Sequence, residues 1–217
     1  MVVETLCLGA LETNSHIVLE SSGLDCWVFD CPAPAGPLVE WLAARNLRPQ
    51  TVYLTHAHVD HMAGLDEFRR AYPSVKVVQH GDEASWLHDP AANLSLWMGT
   101  PVTTAPADGF VEDGQTLTIG RWQVQVLHLP GHSPGSVAYY FVSEHEVISG
   151  DVLFRSGVGR WDFPGCDRVA LQRSLDRLTQ LPAQTRVRPG HGGSTTIGKE
   201  KASNPYLRSD DLWDSSS

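Results

Sequence analysis

Residues 55–64 read Thr-His-Ala-His-Val-Asp-His-Met-Ala-Gly, so His56, His58, Asp60 and His61 put three imidazoles and a carboxylate within six positions. Imidazole and carboxylate are the ligands that borderline divalent ions such as zinc accept at neutral pH, and neutral His needs little energy to shed its proton. The spacing also carries geometry. Two residues apart, His56 and His58 project to one side of an extended chain, whereas on a helix they would diverge by more than a right angle. They share an ion only from a strand end or a loop. Asp60 and His61 follow where the chain turns into a helix, placed to face a second ion a few ångströms away. This differs from the i, i+4 histidine pair of helical zinc proteases.

Three later residues occupy one kind of place, just past an apolar strand and beside glycine: His132 in Leu-Pro-Gly-His-Ser-Pro-Gly, Asp151 in Val-Ile-Ser-Gly-Asp, and His191 in Pro-Gly-His-Gly. Strand ends on one edge of a sheet converge on one cleft. Taken singly, each histidine reads as an ordinary loop residue; taken with the cluster, it reads as a ligand. His16, His80, His88, His128 and His145 lack that context and read as surface or packing residues.

The elements that must deliver these groups follow from periodicity. Runs at 2–9, 15–20 and 25–30, separated by turn residues, predict an opening antiparallel meander. Apolar spacing predicts helices over 37–46, 62–72 and 81–88, with strands at 51–55 and 75–78 between them. The stretch 89–113, with Pro90, Pro101, Pro106 and Gly109, reads as irregular surface structure beside a site and is assigned no chemistry. The second half repeats the plan: strands near 116–120, 122–128, 137–142 and 146–149, a helix near 167–180, and a strand near 185–188. Polar, acidic residues 209–217 predict a disordered tail, with Trp213 able to dock.

At 217 residues, 41% apolar and 19% charged, the chain predicts one globular domain over 1–208. No apolar run is long enough for a membrane helix, and no basic segment followed by an apolar stretch opens the chain, so the expected location is cytoplasmic. A net charge of -9 without a basic run argues against a nucleic-acid partner and leaves a small molecule as the expected one. Cys7, Cys26, Cys31 and Cys166 are scattered without a C-x-x-C pair, which predicts buried reduced thiols and no thiolate metal site. Nothing in the sequence indicates an oligomeric state.

An early Asp, H-x-H-x-D-H, a later His, a later Asp and a final His, in that order, resemble the metallo-β-lactamase superfamily. The phrases Thr-His-Ala-His-Val-Asp-His, Leu-Pro-Gly-His-Ser-Pro-Gly, Ser-Gly-Asp-Val-Leu-Phe and Pro-Gly-His-Gly, with Thr195 to Lys201 and Asn204-Pro205, look most like its single-domain glyoxalase II-like hydrolases. The resemblance implies an α+β fold, the four-layer αββα sandwich, with metals at one edge of its sheets. It implies that His56, His58 and His132 hold one ion, that Asp60, His61 and His191 hold a second, and that Asp151 bridges them. Asp30 matches the early Asp, which in the family supports the ligand loop from behind. Arg160 and Trp161 are the candidate substrate contacts. Asp162 stands where glutathione-binding enzymes carry a tyrosine, and Asp151 stands where the best-known zinc lactamases carry cysteine.

The cofactors so implied are two divalent ions, zinc first, with iron or manganese as alternatives. Two ions sharing a water lower its pKa from about 15.7 towards about 7, giving hydroxide at neutral pH, with Asp60 placed to orient it. A thiolate leaving group, of conjugate pKa about 8.5, departs without strong acid assistance. The expected activity is hydrolysis of a small thioester such as S-lactoylglutathione. The alternatives within the superfamily are a mononuclear iron persulfide dioxygenase and a lactone or ester hydrolase.

Overall fold

The chain's computed structural model describes residues 1–21, 23–209 and 211–214. They divide into two compact units, Met1–Val111 with Ile119–Arg121, and Glu112–Thr118 with Trp122–Ser217.

The first unit is built on a six-stranded mixed sheet whose strand order follows the chain: β1 (Val2–Leu8), β2 (Thr13–Leu19), β3 (Asp25–Phe29), β4 (Arg48–Tyr53), β5 (Lys76–His80) and β6 (Gly109–Val111). β1, β2 and β3 pair antiparallel as the predicted meander, while β3, β4, β5 and β6 pair parallel. Parallel neighbours need crossovers. Helix α1 (Gly36–Ala43) supplies the first, with Pro37 in its opening turn and Leu38 and Leu42 buried one turn apart.

The second crossover is the one that matters for chemistry. The single helix expected over 62–72 is two helices, α2 (Val59–Met62) and α3 (Leu65–Ala71). Gly64 lies at the break. Its amide donates to the Cys31 carbonyl at 2.9 Å, and a Cβ there would overlap the Pro32 carbonyl, so only glycine permits this backbone approach. Met62, Leu65 and Phe68 pack with Ile17, Val28, Val52 and Val77 in the unit's core. The helix expected over 81–88 is instead two 3-10 turns, Gly81–Glu83 and Trp86–His88. Residues 89–113 are irregular as expected except for β6, whose three residues are too few to show a period.

The second unit carries another six-stranded mixed sheet. Its strands are β7 (Thr116–Ile119), β8 (Trp122–His128), β9 (Val137–Phe141), β10 (Glu146–Gly150), β13 (Arg186–Pro189) and β14 (Thr195–Thr196), ordered β14-β13-β10-β9-β8-β7. A separate hairpin joins β11 (Leu153–Phe154) to β12 (Gly157–Val158). Every residue of β9 is buried, whereas β8 buries Trp122, Val124 and Val126 and exposes Gln123, the alternation of a strand with one solvated face. The parallel pair β10 and β13 is bridged by α4 (Arg168–Leu178), which buries Leu171, Leu175 and Leu178 and is capped by the Asp167 carboxylate accepting from the Ala170 amide at 2.9 Å.

The short elements β11, β12, β14 and α5 (Ile197–Ser203) were not predicted; Thr196 caps α5 by accepting from the Lys199 amide at 3.3 Å. Part of the tail expected to be disordered is ordered: α6 (Asp211–Asp214) buries Trp213, whose indole donates to the Tyr206 carbonyl at 3.0 Å. Asp210 and 215–217 lie outside the described residues. Among the described residues no helix is long and apolar enough to cross a membrane.

The expectation of four buried thiols needs correcting, because Cys7 is exposed on edge strand β1 and Cys166 is only half-buried. Burial, and next the neighbouring Asp25 charge, push the Cys26 thiol up to about 12; burial with the Asp30 and Glu67 charges pushes Cys31 up as well. Since the thiolate is the reactive form, alkylation of the native protein at pH 8 is expected to modify Cys7 readily and Cys26 and Cys31 only after denaturation. Peptide mapping by mass spectrometry reads this, and rapid native labelling of Cys31 would contradict the packing of the first unit.

Candidate metal centre

Each unit gathers its own set of candidate ligands. In the first unit β4 ends at Tyr53, the chain bends at Thr55, and His58, extended with a ψ of 148°, precedes the turn into α2. His56, His58 and His61 are at most 3% exposed. A ligand atom of His56 lies within 4.8 Å of one on His58 and of one on His61, and Asp60 and His61 stand in the same relation. The His56 ring meets His58 edge-on at 4.7 Å between centroids and His61 at 4.1 Å.

Three imidazoles this close need their rings fixed from behind, and Asp30 does much of that. Its Oδ1 accepts from the Thr55 amide at 2.7 Å, and its Oδ2 accepts from the Thr55 hydroxyl at 2.8 Å and from His61 Nδ1 at 2.8 Å. Asp30 adopts a φ of 62°, a conformation that Asp tolerates better than most residues, and its own carbonyl accepts from the Ser15 hydroxyl at 2.7 Å. A histidine that gives Nδ1–H to a carboxylate presents Nε2 as its ligand nitrogen and is made more basic by the partner. Asp60 is braced separately, Oδ2 accepting from the Thr13 hydroxyl at 2.9 Å and lying 3.4 Å from His61 Nε2.

In the second unit Asp151, just past β10, lies between two histidines: its Oδ2 is 3.6 Å from His132 Nε2 and 3.4 Å from His191 Nε2. His132 Nδ1 donates to the Arg160 carbonyl at 2.9 Å, so here too Nε2 is the nitrogen left to bind. Two glycines make this packing possible. Gly131, at a φ of 138°, runs against the backbone of Leu171, and Gly159 runs against Asp151 and His132; a Cβ at Gly159 would overlap the Asp151 carbonyl. Phe154 meets His191 edge-on at 6.0 Å.

The candidate substrate residues lie otherwise engaged. The Arg160 guanidinium forms a fork with Asp162 at 2.7 and 2.8 Å and sits 4.1 Å over the Phe163 ring; that hydrogen bond, then the charge, holds the Asp162 carboxyl below its ordinary range. Trp161 packs against Trp213 at 4.6 Å and Tyr206 at 5.9 Å. A separate open cavity of about 390 Å³ is lined by Arg155, Lys199, Ser194 and the buried Glu200.

Several supports escape a reading of local pattern. Ala57, between the first two histidines, donates its amide to Glu83, and Val59 donates its amide to the Asn93 carbonyl within the segment assigned no chemistry. Gly159, a glycine just past the end of β12, is the kind of position where close backbone approach can be expected from sequence. Neutral imidazole with carboxylate is a donor set that zinc, iron and manganese all accept, so the residues fit divalent ions.

Two mixed sheets with helices thus present His and Asp clusters able to hold metal ions. The chain belongs to the metallo-β-lactamase superfamily, whose model matches residues 9–191. It is 37% identical over 202 residues to the probable metallo-hydrolase YqgX of Bacillus subtilis, covering 92% of this chain and 94% of that one. It is 29% identical over 212 residues to the hydroxyacylglutathione hydrolase GloC of Haemophilus influenzae, covering 96% and 99%. Among solved structures it is similar to the BLEG-1 B3 metallo-beta-lactamase, with a TM-score of 0.92, 40% identity and 96% and 100% coverage. It is also similar to TTHA1623 in a di-iron-bound form, with a TM-score of 0.85, 38% identity and 94% and 100% coverage. The α+β fold implied by the sequence motifs is thus the fold of the family.

Asp30→Ala is expected to leave three buried donors without their acceptor, at about 1–3 kcal/mol each, and to weaken metal binding by about 10- to 100-fold. Urea unfolding and competition with a chromophoric chelator measure the two effects, and parent-like metal affinity would contradict this role of Asp30. Gly159→Ala is expected to displace Asp151 or His132 and to cost about 1–3 kcal/mol, read by the same unfolding experiment.

Proposed function

We propose that His56, His58, Asp60, His61, His132, Asp151 and His191 hold one pair of divalent ions, zinc foremost, and that the protein hydrolyses small thioesters, S-lactoylglutathione or a close relative. The observation that carries this reading is the bracing of the ligand nitrogens: His61 Nδ1 is committed to Asp30 and His132 Nδ1 to the Arg160 carbonyl, leaving Nε2 of each for an ion. In support, one similar protein bears the name hydroxyacylglutathione hydrolase, and one similar structure is titled a di-iron-bound form.

When bound, such a pair of ions supplies Lewis acidity and a water acidified from about 15.7 towards about 7. The chain's own residues do the rest. Asp60, held by the Thr13 hydroxyl and 18% exposed, would fix the orientation of the nucleophilic water. His191, the most exposed of the second unit's three ligands at 28%, marks the side open to substrate. A thiolate leaves unprotonated, whereas the amide nitrogen of a β-lactam must take up a proton, so a thioester makes the smaller demand on such a site.

The test is elemental analysis of protein purified without added metal, followed by a panel of S-lactoylglutathione, a lactone, a β-lactam and glutathione persulfide with oxygen uptake. Two ions per chain with thioester cleavage fastest is the expected result, abolished in His58→Ala. Two ions per chain without thioester cleavage would remove the substrate assignment, and one iron per chain with persulfide-dependent oxygen uptake would favour the dioxygenase reading.

A further inference from the structure

Glu83 is a carboxylate for which the reaction has no use, yet it is fully buried. It ends the 3-10 turn that follows β5, and its Oε2 accepts from the Ala57 amide at 2.6 Å. Its own carbonyl is tied by Gln79 Nε2 at 3.1 Å, so the turn that carries it is anchored.

The position of Ala57 gives this bond its meaning. Between the bend at Thr55 and Val59, the first residue of α2, alternate amides are taken one after another: Thr55 by Asp30 Oδ1 at 2.7 Å, Ala57 by Glu83 Oε2 at 2.6 Å, and Val59 by the Asn93 carbonyl at 2.9 Å. The residues between them are His56 and His58. Fixing the amides on either side of His56 and on either side of His58 fixes the backbone from which both side chains project. The segment is thus held at three points, by two carboxylates and one backbone carbonyl. His58 is further held by the Trp86 ring stacked at 5.6 Å, three residues beyond Glu83.

We propose that Glu83 is the positioning residue that sets His56 and His58 in register as metal ligands, by substituting for a backbone carbonyl at the middle of three anchoring points. This rests on the metal reading above. What matters is an acceptor oxygen at the end of a side chain of this length. Gln supplies one and keeps the reach, Ala removes it, and Asp is one methylene too short to span the same gap.

The test compares the full-length parent with Glu83→Gln, Glu83→Asp and Glu83→Ala. Zinc affinity is measured by chelator competition, and protection of the Ala57 amide by hydrogen exchange in metal-free protein. Glu83→Gln is expected within about threefold of the parent in affinity with the amide still protected, while Asp and Ala lose about 10- to 100-fold and the protection. Thr196→Ala, which weakens the cap of α5 instead, is the stability control and is expected to bind zinc like the parent. If Ala does not fold, the Gln and Asp pair carries the comparison. Parent-like affinity in Asp and Ala, or equal losses in Gln and Ala, would overturn the proposal. Zinc-free parent protein that cannot be loaded at all would instead remove the metal reading on which it stands.

Discussion

An imidazole makes a good ligand only if its ring is held before the ion arrives, because a side chain ordered at the moment of binding subtracts its lost freedom from the affinity. The hydrogen bond between His61 Nδ1 and Asp30, 2.8 Å long and almost wholly buried, is the interaction on which the first ligand set turns. Asp30 ends β3 in a left-handed conformation, reaches across to Thr55 at the end of the neighbouring parallel strand, and continues to His61 in α2. One carboxylate therefore ties together two strand ends and the helix start that follows. The order β3-β4 in the sheet, and the crossover helix between them, exist in this arrangement so that those ends lie side by side.

The second unit solves the same problem with backbone instead of carboxylate. His132 is braced by the Arg160 carbonyl, and that carbonyl is brought into reach because Gly159 can lie against both Asp151 and His132. Gly131 serves a matching purpose against α4, whose first turn is fixed to the same loop by the Asp167 amide donating to the Gly131 carbonyl at 2.7 Å. Glycine here is a packing requirement in a crowded place, which is why each ligand in this half has a glycine next to it in sequence or in space.

The parts legible in the sequence were those with a local signature. The H-x-H-x-D-H run, the Pro-Gly-His and Gly-Asp phrases, the opening meander and the long helix α4 all repeat a period or a spacing over several residues. β6, β11, β12 and β14 were not legible, since two or three residues carry no period, and α2 and α3 were merged because the interruption at Gly64 depends on the loop at residues 31–32. Glu83 and Asn93 were invisible for a related reason. Their partners Ala57 and Val59 lie far away along the chain, and nothing in a Gly-Asp-Glu turn announces a bond to a backbone amide in a ligand loop. Contacts of that kind belong to tertiary structure, and only the fold exposes them.

The functional reading rests on the proposed binding of a pair of divalent ions by His56, His58, Asp60, His61, His132, Asp151 and His191. X-ray absorption spectroscopy of the zinc- or iron-loaded protein addresses it most directly. The expected spectrum shows nitrogen and oxygen ligands with no sulfur, and a metal–metal scattering path at about 3.5–4 Å. A fully loaded protein whose spectrum shows isolated ions, or a sulfur ligand from one of the four cysteines, would contradict it.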